Sequence, residues 1–162
     1  MFLVILDLGI NAGQIHYGVR IDHLNLGGLT EVEAVDVLDR RGQEMLQTPV
    51  QFSSDGVQCT FLPEDAGWSP HVHRTVATAL KVGRQGSFLH AGDRRIRAWL
   101  GGVSIKWPDK PNRHRVAGIL DRCERLARSA GFEIARWRMR LMIRQALTEW
   151  PRPTFRIPLI HP

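Results

Sequence analysis

Residues 25–33 read Asn-Leu-Gly-Gly-Leu-Thr-Glu-Val-Glu, and this run constrains the fold more than any other part of the chain. Gly27-Gly28 breaks whatever precedes it. Thr30 followed three residues later by Glu33 is a capping box, in which each side chain bonds the other's free backbone N–H at a helix start. Glu31 and Glu33 also complement the positive end of the helix dipole. A helix is predicted to run to about Leu46, with Val32, Val35, Leu38 and Met45 facing inward, and Pro49 ends it. Before the break, Ile15, Tyr17, Val19 and Ile21 alternate with His16, Gly18, Arg20 and Asp22, which predicts a strand over 15–24. After it, Val50–Ser53 and Gln58–Leu62 flank Ser54-Asp55-Gly56, and Asp-Gly supplies the tight turn of a hairpin.

The remainder continues in the same mixed style. Ser69-Pro70 predicts an N-cap and first-turn proline for a helix with Val72, Val76, Ala79 and Leu80 on one face and Gly83 at its end. Gly83 to Gly86 reads as a loop, Arg94–Leu100 as a short helix, and Val103–Trp107 as a strand. Val116, Ile119, Leu120, Cys123, Leu126, Ala127 and Ala130 form an apolar stripe closed by Gly131, with Asp121–Arg125 and Glu124–Arg128 paired on its outer side. Residues 136–141 alternate like a strand, whereas Met142, Ile143, Ala146, Leu147 and Trp150 have helical spacing. The reading adopted is a helix from about Met139 to Trp150 with a short strand before it. Phe155–Leu159, between Pro153 and Pro158, reads as an edge strand. The expected fold is α+β: one domain over 15–162, several helices packed on a mainly antiparallel sheet, preceded by an apolar segment over 1–14.

At 162 residues a sizeable core is within reach. Charge is unevenly spread: residues 1–68 hold 3 Lys+Arg against 10 Asp+Glu, and residues 69–162 hold 19 against 6. The plainer reading of that +13 half is solvated faces of one domain, and it is preferred. The sharper one is a basic face for a polyanion such as nucleic acid, teichoic acid or anionic lipid. Arg outnumbers Lys 19 to 3, which a GC-rich genome explains as well as anion recognition does.

Candidate chemistry is sparse. Cys59 and Cys123 are too few for a disulfide framework and read as two buried free thiols. His71 and His73 near Glu64 and Asp65 lack metal-ligand spacing, so they read as exposed first-turn histidines and no metal is expected. Ser53, Ser54, Ser69, Ser87, Ser104 and Ser129 stand in no nucleophile elbow. Gly27-Gly28 lacks the Lys-Ser/Thr of a phosphate loop, and Gly83-Arg84-Gln85-Gly86 is not a dinucleotide fingerprint. Glu64-Asp65 fit a turn better than an acid/base pair. Trp99 and Trp137 read as core, whereas Trp68 and Trp107, beside turns, read as exposed aromatics. No catalytic residue, ligand-binding residue or cofactor is assigned.

Phe2-Leu3-Val4-Ile5-Leu6 is far shorter than the roughly 20 residues that span a bilayer. No basic residue precedes Arg20, so a complete signal peptide is not recognised. An ordinary strand and the end of a membrane anchor both remain open.

Gly18, Val19, Ile21, the run Leu26 to Thr30, Glu33-Ala34, Pro49-Val50 and Leu62-Pro63 to Gly67 together resemble the peptidoglycan-binding domain of bacterial envelope proteins, which commonly stands before VanW-type or L,D-transpeptidase domains. The resemblance is specific over 16–68 and weak over 76–160. It departs between Gly131 and Ile143, where the family often carries a longer insertion. Neither cysteine lies in a Ser-His-Gly-Cys motif of the transpeptidase kind. The resemblance implies a non-enzymatic, extracytoplasmic, membrane-tethered module that binds peptidoglycan or spaces a VanW-type or transpeptidase partner. The alternative is a basic nucleic-acid- or polyanion-binding protein.

Overall fold

A computed structural model describes residues 13–82, 102–108 and 110–160. The chain is α+β, a single domain whose backbone falls into two compact units. One draws on residues up to Arg41 and on His71–Trp107, the other on Gly42–Pro70 and Pro108–Pro162. The predicted apolar run 2–6, the loop 83–86, the short helix Arg94–Leu100, Ser87 and Trp99 lie outside the described residues.

In the first unit the alternating segment makes β1 (Val19–Ile21), whose Val19 and Ile21 are fully buried. β1 pairs antiparallel with β2 (Leu24–Asn25) and parallel with β5 (Val103–Ile105), in register Val19↔Val103. The strand is shorter than predicted because the chain turns at His16–Gly18: the Val19 N–H donates to the His16 carbonyl, and Gly18 has φ 83°. That turn leaves Tyr17 exposed instead of inward.

The capping box is present. The Thr30 N–H donates to Glu33 Oε2 at 2.8 Å and the Glu33 N–H to Thr30 Oγ1 at 3.4 Å, starting α1 (Glu31–Gln47). Ala34, Leu38 and Met45 are fully buried, but Val32 is 71% exposed. At about 100° per residue Val32 stands roughly 120° around the helix from Leu38, on the wrong face.

The second helix of this unit, α2 (Val72–Lys81), starts two residues later than predicted. His71, at φ 45°, holds the N-cap position, and no side chain caps it. Thr75, Val76 and Ala79 are buried on one face.

The second unit contains the hairpin as read: β3 (Val50–Ser54) and β4 (Val57–Phe61) pair antiparallel over five residues. Asp55 (φ 48°) and Gly56 (φ 79°) both take the left-handed conformation that two-residue hairpin turns require. β7 (Phe155–Arg156) adds to the other side of β3, in parallel, as the edge strand. Phe52 stacks between Phe61 and Phe155, with ring centroids 6.2 and 5.3 Å away.

Asn112 caps α3 (Arg113–Ser129), its Oδ1 accepting from the His114 and Arg115 N–H groups. Gly131, at φ 84°, ends it, with the Phe132 N–H returning to the Ala127 carbonyl. The Leu126 side chain of the predicted stripe is exposed at the stripe's margin.

The ambiguous segment resolves into β6 (Glu133–Ile134) and α4 (Arg136–Thr148), which starts three residues before the predicted Met139. The last predicted strand is split at Ile157-Pro158. β7 stays with β3, whereas β8 (Leu159–Ile160) pairs antiparallel with β6. Among the described residues the strands thus form two three-stranded sheets of mixed sense and one antiparallel pair.

Candidate functional site

Cys59 on β4 and Cys123 on α3 are joined by a disulfide, Cα–Cα 5.4 Å, across 64 residues of sequence. This corrects the expectation of two free thiols. Both cysteines are buried, as expected for Cys59 in a strand-like stretch and Cys123 on the helical stripe. What the spacing could not supply is that α3 lies on β4, bringing the two inward faces together. Closing so long a loop stabilises the folded chain by about 4 kcal/mol on chain-entropy grounds.

The tryptophans also reverse. Trp68 and Trp107 are 3% and 2% exposed, and each buried indole N–H is satisfied: Trp68 donates to the Pro108 carbonyl at 2.9 Å and Trp107 to Asp22 Oδ2 at 2.8 Å. Both acceptors are distant in sequence, 40 residues away for Trp68 and 85 for Trp107. Trp137 is the exposed one, at 68%. On α4 the buried residues are Met139, Ile143, Ala146 and Leu147, and Trp137 falls on the opposite side of the helix. The Arg138 guanidinium carbon sits 5.9 Å from the Trp137 ring centroid.

The Leu-Gly-Gly run is structural. The Gly28 N–H donates to the Ile15 carbonyl and the Leu26 N–H to the Val19 carbonyl. A Cβ on Gly27 would stand 2.8 Å from Tyr17 Cα and 2.9 Å from Gly18 N. Glycine is needed there for close approach of two chain segments, which is ample reason for the motif without a phosphate. Glu64 and Asp65 lie in a 3-10 turn (Pro63–Ala66), where Asp65 Oδ2 accepts from the Leu62 N–H. His71 stands at the start of α2 and His73 is exposed on its first turn. The Ser54 hydroxyl donates to Asp55 and that of Ser129 to the Leu126 carbonyl. Among the described residues no group of three His, Cys, Asp or Glu is placed to hold a metal ion. No described helix is long and apolar enough to cross a membrane.

What the second unit does assemble is a basic cleft of about 690 Å³, lined by Lys110, Pro111, Arg113, Val116, Arg140 and Arg144. Lys110 and Arg113 flank the Asn112 cap, while Arg140 and Arg144 are one helical turn apart on α4. The sequence showed the charge surplus of this half but not the cleft, because Lys110 before α3, Arg113 on α3 and Arg140 and Arg144 on α4 converge only when α3 packs on α4.

Two cations on these helices, Arg136 and Arg128, are paired with carboxylates. Arg136 Nη2 bonds Asp121 Oδ1 at 2.8 Å and its Nη1 bonds Glu124. The Asp121 hydrogen bond chiefly, with help from Glu124, holds the Arg136 guanidinium above its ordinary pKa. Arg128 pairs with Glu124 at 3.0 Å, as predicted from spacing.

Arg152 is a structural cation. Its Nε donates to the Ala146 carbonyl and its Nη1 to the Met45 and Thr48 carbonyls, so one guanidinium closes the C-terminal ends of α1 and α4. Burial lowers its pKa to about 10.

Fold and site together define an α+β, disulfide-stapled domain with a cationic cleft. No family model, no curated protein and no solved structure matches the chain.

Proposed function

We propose that this chain is a non-enzymatic module of the bacterial cell envelope, working outside the cytoplasm, where it binds peptidoglycan or another envelope polymer or spaces a partner domain. The observation that carries this reading is the buried Cys59–Cys123 disulfide. Paired cysteines of this kind persist in oxidising compartments and are rare where thiol reductants are abundant. Its likeness over residues 16–68 to the envelope domain supports the same compartment and implies the membrane tether. The glycine-rich run supports a scaffold rather than a reaction centre, since Gly27 is accounted for by backbone packing.

Co-sedimentation of the oxidised protein with purified cell-wall sacculi tests the proposal. Retention in the pellet at low salt is expected, and protein left wholly in the supernatant would count against wall binding.

The basic cleft also favours a second reading, binding of nucleic acid through phosphate contacts. Such binding weakens steeply with salt. A mobility-shift titration with single-stranded and duplex DNA and with RNA decides it, and no shift at low salt disposes of it.

A further inference from the structure

α4 buries Met139, Ile143, Ala146 and Leu147, and the side it leaves to solvent is not purely polar. Trp137 is 68% exposed and Leu141 56%. At four residues' spacing they are neighbours on the helix surface, about 40° apart around its axis. Arg140 stands roughly 60° to one side of this pair and Arg138 roughly 60° to the other, at about 100° per residue. Both arginines are exposed. Around the helix the outward order is therefore Arg140, Trp137, Leu141, Arg138, an apolar strip with a cation on each flank.

Leaving two large apolar side chains in water forgoes the stabilisation that burial brings. The Arg138 guanidinium carbon lies 5.9 Å from the Trp137 ring centroid, which keeps one flanking cation against the strip. From Arg136 to Thr148 the helix contains no Asp or Glu. Arg136, engaged by Asp121 and Glu124, is not one of the flanking pair. Glu133 and Glu149 fall beyond the two ends of the helix, and Glu149 accepts from the Gln145 side chain. The unit to which α4 belongs, residues 42–70 and 108–162, carries 12 Lys+Arg against 9 Asp+Glu and so remains net cationic.

We propose that the outward face of α4 docks the protein on an anionic lipid surface, with Trp137 and Leu141 entering the boundary between headgroups and acyl chains and Arg138 and Arg140 meeting lipid phosphates on either side. The order of groups matches the layering of a bilayer surface. An indole favours that boundary because it is amphipathic, and long cationic side chains reach up from it to the phosphates. Charge on both flanks selects a lipid surface: a plane of anionic headgroups meets both cations at once while the strip between them leaves water. The opposite side of α4 is buried in its own unit, so the helix lies on the surface and does not span it. Two apolar side chains and two cations give weak, reversible association, of the kind that supplements a tether. Lipid docking stands apart from wall binding, and neither requires the other.

The test uses the oxidised full chain with unilamellar vesicles, either pure phosphatidylcholine or equal parts phosphatidylcholine and phosphatidylglycerol, separated from unbound protein by flotation. The parent is compared with W137A/L141A, with R138Q/R140Q and with the charge-matched control R74Q/R125Q, whose exposed arginines lie off α4. Matching far-UV spectra and melting temperatures establish that all are folded. Trp137→Phe, which keeps an aromatic ring in place, gives a second readout: quenching of tryptophan fluorescence by lipids brominated on the acyl chain near the headgroup.

The parent is expected to bind the mixed vesicles at least ~10-fold more tightly than the neutral ones, with R138Q/R140Q losing at least ~10-fold on the mixed vesicles. W137A/L141A is expected to lose at least ~10-fold on the same vesicles. The control stays within about threefold of the parent, since charges away from the surface are screened. At equal bound fraction, quenching by brominated lipid is largely lost in Trp137→Phe. No binding of the parent to the mixed vesicles overturns the docking and leaves wall binding standing. Equal binding to mixed and neutral vesicles overturns the choice of an anionic surface. Equal weakening of R74Q/R125Q and R138Q/R140Q, or unchanged binding by W137A/L141A, overturns the assignment to α4. A parent that sediments as a dimer without lipid, with W137A/L141A monomeric, gives this face to a second copy of the chain and overturns lipid docking.

Discussion

Replacing Arg152 with Met keeps the aliphatic stem and removes the guanidinium, and it should be among the most destabilising single changes available. The guanidinium donates to three carbonyls, those of Ala146, Met45 and Thr48, at the C-terminal ends of α4 and α1. Each hydrogen bond from a charged donor contributes about 1.5–3 kcal/mol, and an abandoned buried carbonyl carries a further desolvation cost. Against this stands the cost of burying the cation itself. Burial lowers the Arg152 pKa from its ordinary value to about 10. At 1.36 kcal/mol per unit that is about 3 kcal/mol, nearer 2 once partial solvent screening is allowed for. Nη2 is buried without a partner, so the arrangement is not fully compensated. The hydrogen bonds still win, and Arg152→Met is expected to lose about 3 kcal/mol. Urea unfolding followed by far-UV circular dichroism measures this as a lower midpoint with unchanged slope. Arg152→Lys should recover only part of the loss, since one ammonium lacks the planar fork that reaches both helix ends. A loss below about 1 kcal/mol for Arg152→Met, the value of an exposed ion pair, would refute the capping role.

Three further outcomes follow from the same structure. Reducing the disulfide, or replacing Cys59 and Cys123 together with Ala, should lower stability by about 4 kcal/mol, and identical urea midpoints with and without reductant would contradict the staple. Trp68→Ala should cost about 3–5 kcal/mol in a thermal melt whereas Trp137→Ala should cost under about 1, reflecting their opposite burial. The Thr30 backbone and side-chain hydrogen bonds hold the Glu33 carboxyl below its ordinary value of 4.5. This stabilisation is therefore fully present above pH 4.5 and lost as pH falls through the lower folded value. Glu33→Gln should flatten that part of the acid stability profile, and an unchanged profile would argue against the capping box.

The sequence announced local structure well wherever one short run carried its own physical signal. Thr30 with Glu33, Asp55-Gly56 and Gly131 each specify a backbone event within four residues, and each is found in place. Periodicity identified the buried stripe of α3 and the inward faces of Cys59 and Cys123. It failed where the partner is distant in sequence. The disulfide depends on α3 lying on β4, and the burial of Trp107 depends on Asp22, 85 residues away. Val32 is apolar and so reads as inward, but its angle around α1 turns it to solvent. Trp137 reads as core because a large indole is commonly buried, whereas the helix that forms turns it to solvent. The cleft was legible only as an excess of positive charge, since its four cations are supplied by separate segments.

The most direct measurement is thiol trapping in the producing cells: alkylation before lysis, then intact-mass analysis of the purified chain under non-reducing conditions. A module that works outside the cytoplasm should emerge with Cys59 and Cys123 joined and no alkyl group added. Two alkylated cysteines on the mature protein would contradict both the oxidising compartment and the envelope role built on it.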